Sequence, residues 1–324
     1  MSHQLTTSNL IYTFFAIALW TLLLVVSRVI LLVYAIDPWS FTFLQLISGG
    51  LLLIGLSTGG EAVDWSTIRR PSTWFYGVLR VTTSAAFTAA LVHVSVVYAG
   101  FLGTINVVMA VLGVWMVFGR RPTILELPGH ILIVGGILAL IMLRFENGWR
   151  NPAVLLMFVS EIAGVGTAII AERHPDNNST NPRTRLRFSG VVLILTAAFF
   201  LILRIGQTVY AGAEAADLAN MQINWPLWIA GLLVGIVLRG PAMHVSLQAI
   251  RLVGTEIYIL AAALLPFIGW GFEAIAGRLG VMTPPPSSMI DVVLGVIIMG
   301  GAVLIFATRR WTEPNVSPAI LKKK

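Results

Sequence analysis

The sequence predicts an all-α, polytopic membrane protein, and three observations predict it. Ten apolar stretches of 17 or more residues tile the 324-residue chain. Hydrophobic residues make up 57% of it. Charged residues make up only 11%, against about 25% in soluble domains. A bilayer core roughly 30 Å thick needs about 20 apolar residues rising 1.5 Å each, and the stretches have that length. The expected spans are Leu10–Val33, Ser40–Leu56, Trp74–His93, Val96–Phe118, Leu125–Leu143, Val154–Ala171, Ser189–Tyr210, Pro226–Gln248, Thr255–Ile275 and Met289–Ala307.

Each element has a local reason. Met1 to Asn9 contains no Lys or Arg, so the positive segment of a cleaved leader is missing, and the apolar stretch after it is too long for one. A retained first span is expected. Span 2 is bounded by Asp37-Pro38 and Gly59-Gly60. Arg121-Pro122 precedes span 5, Asn151-Pro152 span 6 and Asn181-Pro182 span 7. The run Pro284-Pro285-Pro286 precedes span 10. These are turn-forming pairs that do not continue a helix. Trp39, Trp74, Trp225, Trp228 and Trp311 lie near the expected ends, where an indole finds both apolar and hydrogen-bonding surroundings.

Basic residues report orientation. One set of alternate loops holds thirteen: Arg69, Arg70, Arg120, Arg121, Arg173, Arg183, Arg185, Arg187, Arg309, Arg310 and Lys322 to Lys324. The opposite set holds three: Arg144, Arg150 and Arg278. Both termini are therefore expected in the cytoplasm, and Arg over Lys, 18 to 3, hints at a GC-rich bacterium and its inner membrane. The +7 charge reports this asymmetry, since no aromatics interleave with lysines as nucleic-acid binding would need. The chain has no cysteine, which excludes disulfides and thiolate chemistry. Its five histidines are scattered, and neither a metal nor a cofactor is expected.

A short internal repeat marks span 5, Gly129-His130-Ile131-Leu132-Ile133-Val134-Gly135-Gly136, and span 10, Gly295-Val296-Ile297-Ile298-Met299-Gly300-Gly301. Each closes a set of five spans. Five is odd, so the second set inserts upside down, an arrangement common in secondary transporters. The expected units are 1–148, 149–310 and a basic tail, 311–324.

Three further stretches carry a family resemblance: Gly119-Arg120-Arg121-Pro122-Thr123-Ile124-Leu125-Glu126-Leu127-Pro128-Gly129, Val253-Gly254-Thr255 through Leu265-Pro266, and Trp20 with Ser27-Arg28 and Asp37-Pro38. The chain resembles ten-span members of the drug/metabolite transporter superfamily of the EamA type. The resemblance implies a central cavity between two five-helix halves, spans 5 and 10 at the periphery, and transport, often export, of a small metabolite. The sequence departs from the family pattern at Asn106, where a proline is usual. It departs again at Arg120 and Arg278, where an acid follows the glycine, and at Gln45, where a basic residue is frequent.

Charges inside spans are the sharpest candidates, because an ionisable group at mid-membrane faces a partner or a wet cavity. Glu161 lies near the middle of span 6 and Arg239 near the middle of span 8. They form either a structural ion pair or two walls of one cavity. In the second case Arg239 meets an anionic group and Glu161 carries a coupling proton. Gly240 and Pro241 are expected to kink or break span 8. Asn106, Trp20, Tyr98 and Tyr258 are candidate contacts for a small molecule. Gln248 is expected to hydrogen-bond between helices, and Glu256, Glu273 and Arg80 to reach toward headgroups. His93 and His244 are expected to be structural. Gly231 with Gly235, and Ala99 with Gly103, form small-residue packing faces.

Secondary transport leads. The chain lacks a zinc-protease motif, a phosphate loop and a serine elbow, so no enzyme is indicated. The alternative is a non-transporting membrane partner or sensor that keeps the fold.

Overall fold

The computed structural model describes residues 6–34, 36–59, 65–91, 93–94, 96–210, 225–282 and 288–312. Gly60, Pro284 to Pro286, the side chains of Arg310 and Trp311, and Lys322 to Lys324 lie outside that description, and with them the expected basic tail. The described chain forms helices and no strand. They are α1 Thr7–Tyr34, α2 Pro38–Thr58, α3 Pro71–Leu91, α4 Val96–Gly103, α5 Ile105–Phe118, α6 Leu127–Arg144, α7 Pro152–Arg173, α8 Pro182–Tyr210, α9 Trp225–Val234, α10 Gly240–Ala262, α11 Leu265–Arg278 and α12 Met289–Thr312. A π-helical turn, Gly235–Arg239, joins α9 to α10.

The turn pairs act as start signals. Asp37 accepts from the Ser40 amide at 2.8 Å, Asn151 from Ala153 at 2.9 Å and Asn181 from Arg183 at 2.9 Å. Each is followed by a proline, which gives up nothing at the first helical position. Thr123 and Glu126 form a capping box ahead of α6.

Among the described residues, eight stretches are long and apolar enough to cross a membrane. Two expected spans are not among them. α3 has 21 residues but carries Arg80 and several hydroxyl side chains, Thr73, Thr82, Thr83 and Ser84 among them. Thr255–Ile275 is split between α10 and α11. At Gly254 the backbone leaves the helix, with φ 82° and ψ 165°, a conformation open to glycine and strained for other residues.

The chain folds back at that point. Arg239 lies beside Trp20 of α1. Leu247 and Thr255 both bond to the end of α7 and its following loop, through Asn177 and Glu172. Gly269 then lies against Thr21, and Glu273 pairs with Arg28. Positions 239 and 269 are thus level with neighbouring residues of α1, and Gly254 is the corner between them.

Glycines let backbones approach. A Cβ on Gly129 of α6 would stand 2.6 Å from the Gly301 carbonyl of α12, and one on Gly301 would stand 2.6 Å from the Gly129 carbonyl. The repeat seen in sequence is therefore a contact between the two repeated segments. Gly50 of α2 and Gly190 of α8 meet the same way, and Gly231 packs on Leu44. Large apolar side chains such as Phe14, Leu51, Phe75, Met116, Met142, Ile162 and Ile202 point outward and are exposed. In water such a surface would drive association; against lipid it is the expected outer face.

Candidate functional site

A cavity of about 770 Å³ lies inside the bundle. Its wall is built from α1, α2, α3, α4, α5, α7, the π turn, α10 and the start of α11.

Arg239 closes the π turn. The Gly240 amide donates to the Gly235 carbonyl, one residue further back than in an α-helix, and Pro241 has no amide to give. Gly49 of α2 crosses this turn so closely that a Cβ there would be 2.8 Å from the Gly235 oxygen and 2.9 Å from the Gly240 nitrogen. The expected break at Gly240-Pro241 is thus a bulge clamped against α2, and it fixes where Arg239 points. Arg239 is 7% exposed, lines the cavity, and its Nε has no hydrogen-bond partner. Its guanidinium carbon is 5.4 Å from the centroid of the Trp20 ring, and that of Arg80 is 4.7 Å from the same ring.

Glu161 is on another wall. Its Oε2 accepts from Asn106 Nδ2 at 3.0 Å. Gly103 leaves room for it, since a Cβ there would stand 3.1 Å from Oε1. Among the described residues Glu161 and Arg239 form no ion pair; they face one cavity from separate helices. Asn106 follows a break at Thr104, where the helix tightens to i→i−3 bonds and the Thr104 hydroxyl donates to the Phe101 carbonyl at 2.6 Å. A matching break separates α10 from α11 ahead of Pro266. The two breaks meet: Gly100 abuts Pro266, and the rings of Phe101 and Phe267 lie 5.9 Å apart.

The remaining candidates divide. Trp20 and Tyr258 line the cavity, whereas Tyr98 does not and lies edge-on to Phe145, 6.2 Å away. Four expectations are corrected. Arg80 lines the cavity instead of reaching for headgroups, because α3 turns its polar face inward. Glu273 pairs with Arg28 at 2.5 Å, and Glu256 with Arg309 at 2.6 Å; both acids find a cation within the protein. Gln248 accepts from Arg251 of its own helix at 3.0 Å, a bond that needs no second helix. His244 is structural as expected, 3.0 Å from Ser189. The sequence reading missed Tyr76, Thr83 and Phe87 of the wall; the low apolarity of α3 was the available signal.

The cavity extends to one end of the bundle, where Leu32, Pro38 and His93 are exposed on its wall. At the other end Thr167, Leu247 and Ile250 are buried, and polar bonds close the bundle beyond them. Glu172 accepts from Arg120 at 2.8 Å and from the Thr255 amide at 2.7 Å. Asn177 donates to the carbonyls of Ala171 at 2.9 Å and Leu247 at 3.1 Å. Arg309 joins Glu126, at 2.9 Å, to Glu256.

His174 belongs to this closed end. It stacks on Phe188 at 4.1 Å. Its Nδ1 accepts from the Asp176 amide at 3.2 Å, so Nε2 carries the proton toward Thr73 Oγ1, 3.0 Å away. Burial pushes its pKa down to about 4, against the opposing pull of Asp176.

The helices and cavity define a multi-pass helical membrane protein with a charged interior chamber. Residues 7–142 match the EamA-like transporter family; in that part the chain is similar to EamA-like proteins. Members of that family are transporters rather than enzymes. The uncharacterized protein PA1977 of Pseudomonas aeruginosa is 26% identical over 285 residues, covering 85% of this chain and 86% of its own. A protein solved as a crystal structure superposes with a TM-score of 0.66 at 20% identity, over 94% of this chain and 99% of that one; it supports the fold alone.

Proposed function

We propose that the chain is a secondary transporter that moves a small metabolite, in the export direction, by alternating access across a bacterial inner membrane, with both termini in the cytoplasm. The observation that carries this reading is the chamber itself: reachable at one end, closed by polar bonds at the other, and holding two arginines that, among the described residues, have no carboxylate partner. Ten spans in two inverted halves, 1–148 and 149–310, are part of the reading. In its support, Val96–Gly103 and Thr255–Ala262 are eight residues each, and the 14-residue helices α5 and α11 follow them. Discontinuous helices facing each other at mid-membrane form the sites of many transporters built from inverted repeats. Glu161, held by Asn106, is the proposed coupling-proton site, and a Glu161→Gln protein is expected to lose pH-dependent flux.

The natural absence of cysteine makes a direct test available. Ser84 lines the cavity. In a Ser84→Cys protein, a membrane-impermeant maleimide should label from both faces, in right-side-out and in inverted vesicles. Labelling from one face only, in every condition, would replace the transporter with a non-transporting membrane partner.

A further inference from the structure

Two guanidinium groups share one indole at mid-depth, those of Arg80 and Arg239 over Trp20. The other charged groups on the wall are engaged: Arg28 with Glu273, Glu161 with Asn106. Among the described residues neither Arg80 nor Arg239 has a carboxylate within ion-pair distance. An arginine stacked on a ring keeps its in-plane N–H groups free, and that fork matches the two oxygens of a carboxylate. The buried Nε of Arg239, with no acceptor, is one such donor. The rest of the wall is largely apolar, with Leu24, Phe87 and Met243 among its residues. A space of about 770 Å³ is far larger than an inorganic ion and lies in the range of sites for small organic ligands.

From this arrangement we infer that the chamber binds an organic monocarboxylate, its carboxylate between Arg80 and Arg239 and its apolar body against the neighbouring wall. The inference names the substrate class of the transporter proposed above and rests on that reading. A zwitterion would need a second, anionic contact for its ammonium. Glu161 is the acid among the described wall residues; it is engaged by Asn106 and forms no ion pair with either arginine.

The test is calorimetric titration of the full-length protein in nanodiscs, with empty nanodiscs as baseline. Benzoate and hexanoate are the probes. Benzamide is the neutral isostere of benzoate, phenylalanine the zwitterion and phosphate the inorganic anion. Benzoate or hexanoate is expected to bind, with benzamide at least tenfold weaker. Arg239→Gln and Arg80→Gln should each weaken the carboxylate at least tenfold, and Arg80→Lys should restore part of the loss. Equal binding of benzamide, tighter binding of phenylalanine or phosphate, unchanged affinity in both glutamine variants, or no binding by either probe would overturn the inference. The benzamide comparison stands on the unmodified protein, so it decides even where a variant does not fold. Binding requires no translocation, so two-sided labelling at position 84 with no carboxylate binding would leave the transporter reading in place and remove only the substrate class.

Discussion

A guanidinium buried without a carboxylate costs several kcal/mol, and the cavity holds Arg239 in that condition against Trp20. A residue kept there for binding weakens the fold it sits in. Arg239→Met should therefore raise stability, by about 1–3 kcal/mol, while abolishing carboxylate binding. Unfolding in mixed detergent micelles checks this; a loss of stability would return Arg239 to a structural role. His174 behaves oppositely with pH. Its folded pKa of about 4 lies below the unfolded value of about 6.5, so the folded state binds fewer protons between them. Its contribution is complete above pH 6.5 and is lost as pH falls through that window, by roughly 3 kcal/mol in all. A His174→Gln protein should show a flatter stability profile between pH 4 and 6.5 than the parent. At this scale the sequence was a partial guide. Glu161, Arg239, Asn106, Trp20 and Tyr258 were marked by type and position. The engagement of Glu161 by Asn106 and of Arg28 by Glu273 was not legible, because partners across 55 and 245 residues are set by packing.

Helix positions follow from caps and breakers that act within a few residues, so most boundaries could be read directly. Asp37-Pro38, Asn151-Pro152 and Asn181-Pro182 each stand where a helix begins. The failures have a common cause. The breaks at Thr104 and at Ala263-Leu264 fall inside expected spans and depend on what the helix meets, whereas the corner at Gly254 lies between expected spans 8 and 9. α3 is less apolar than its neighbours because part of it faces the cavity. Packing at glycine is the most sensitive element-level feature. Gly301→Val would place branched carbons where the Gly129 carbonyl already lies 2.6 Å from a Cβ. It should cost about 1–3 kcal/mol through overpacking, read as a lower unfolding midpoint. Gly300→Ala, one residue away and facing open space, should leave the midpoint unchanged.

At the scale of the whole molecule, the closed end depends on a few polar groups. Glu172 ties the segment after α5 to the corner at Gly254 through Arg120 and the Thr255 amide. Glu172→Gln keeps the volume and removes the charge, which weakens both bonds. It should increase maleimide labelling of Ser84→Cys from the closed face and decrease it from the open one. Unchanged labelling would show that these bonds do not hold that end shut. The existence of a central chamber was anticipated from the family resemblance, while its open and closed ends could not be, since they are set by contacts between residues far apart in sequence.

The contact between α6 and α12 also bears on how the protein is made. Synthesis runs from the N-terminus, and α6 leaves the ribosome more than 140 residues before α12 does. Until then the groove at Gly129 and Gly136 has only lipid to fill it. The last described helix is thus the lid of a seam opened early in translation, and a nascent chain cut short before residue 289 would carry that unfilled groove into the hands of membrane quality control.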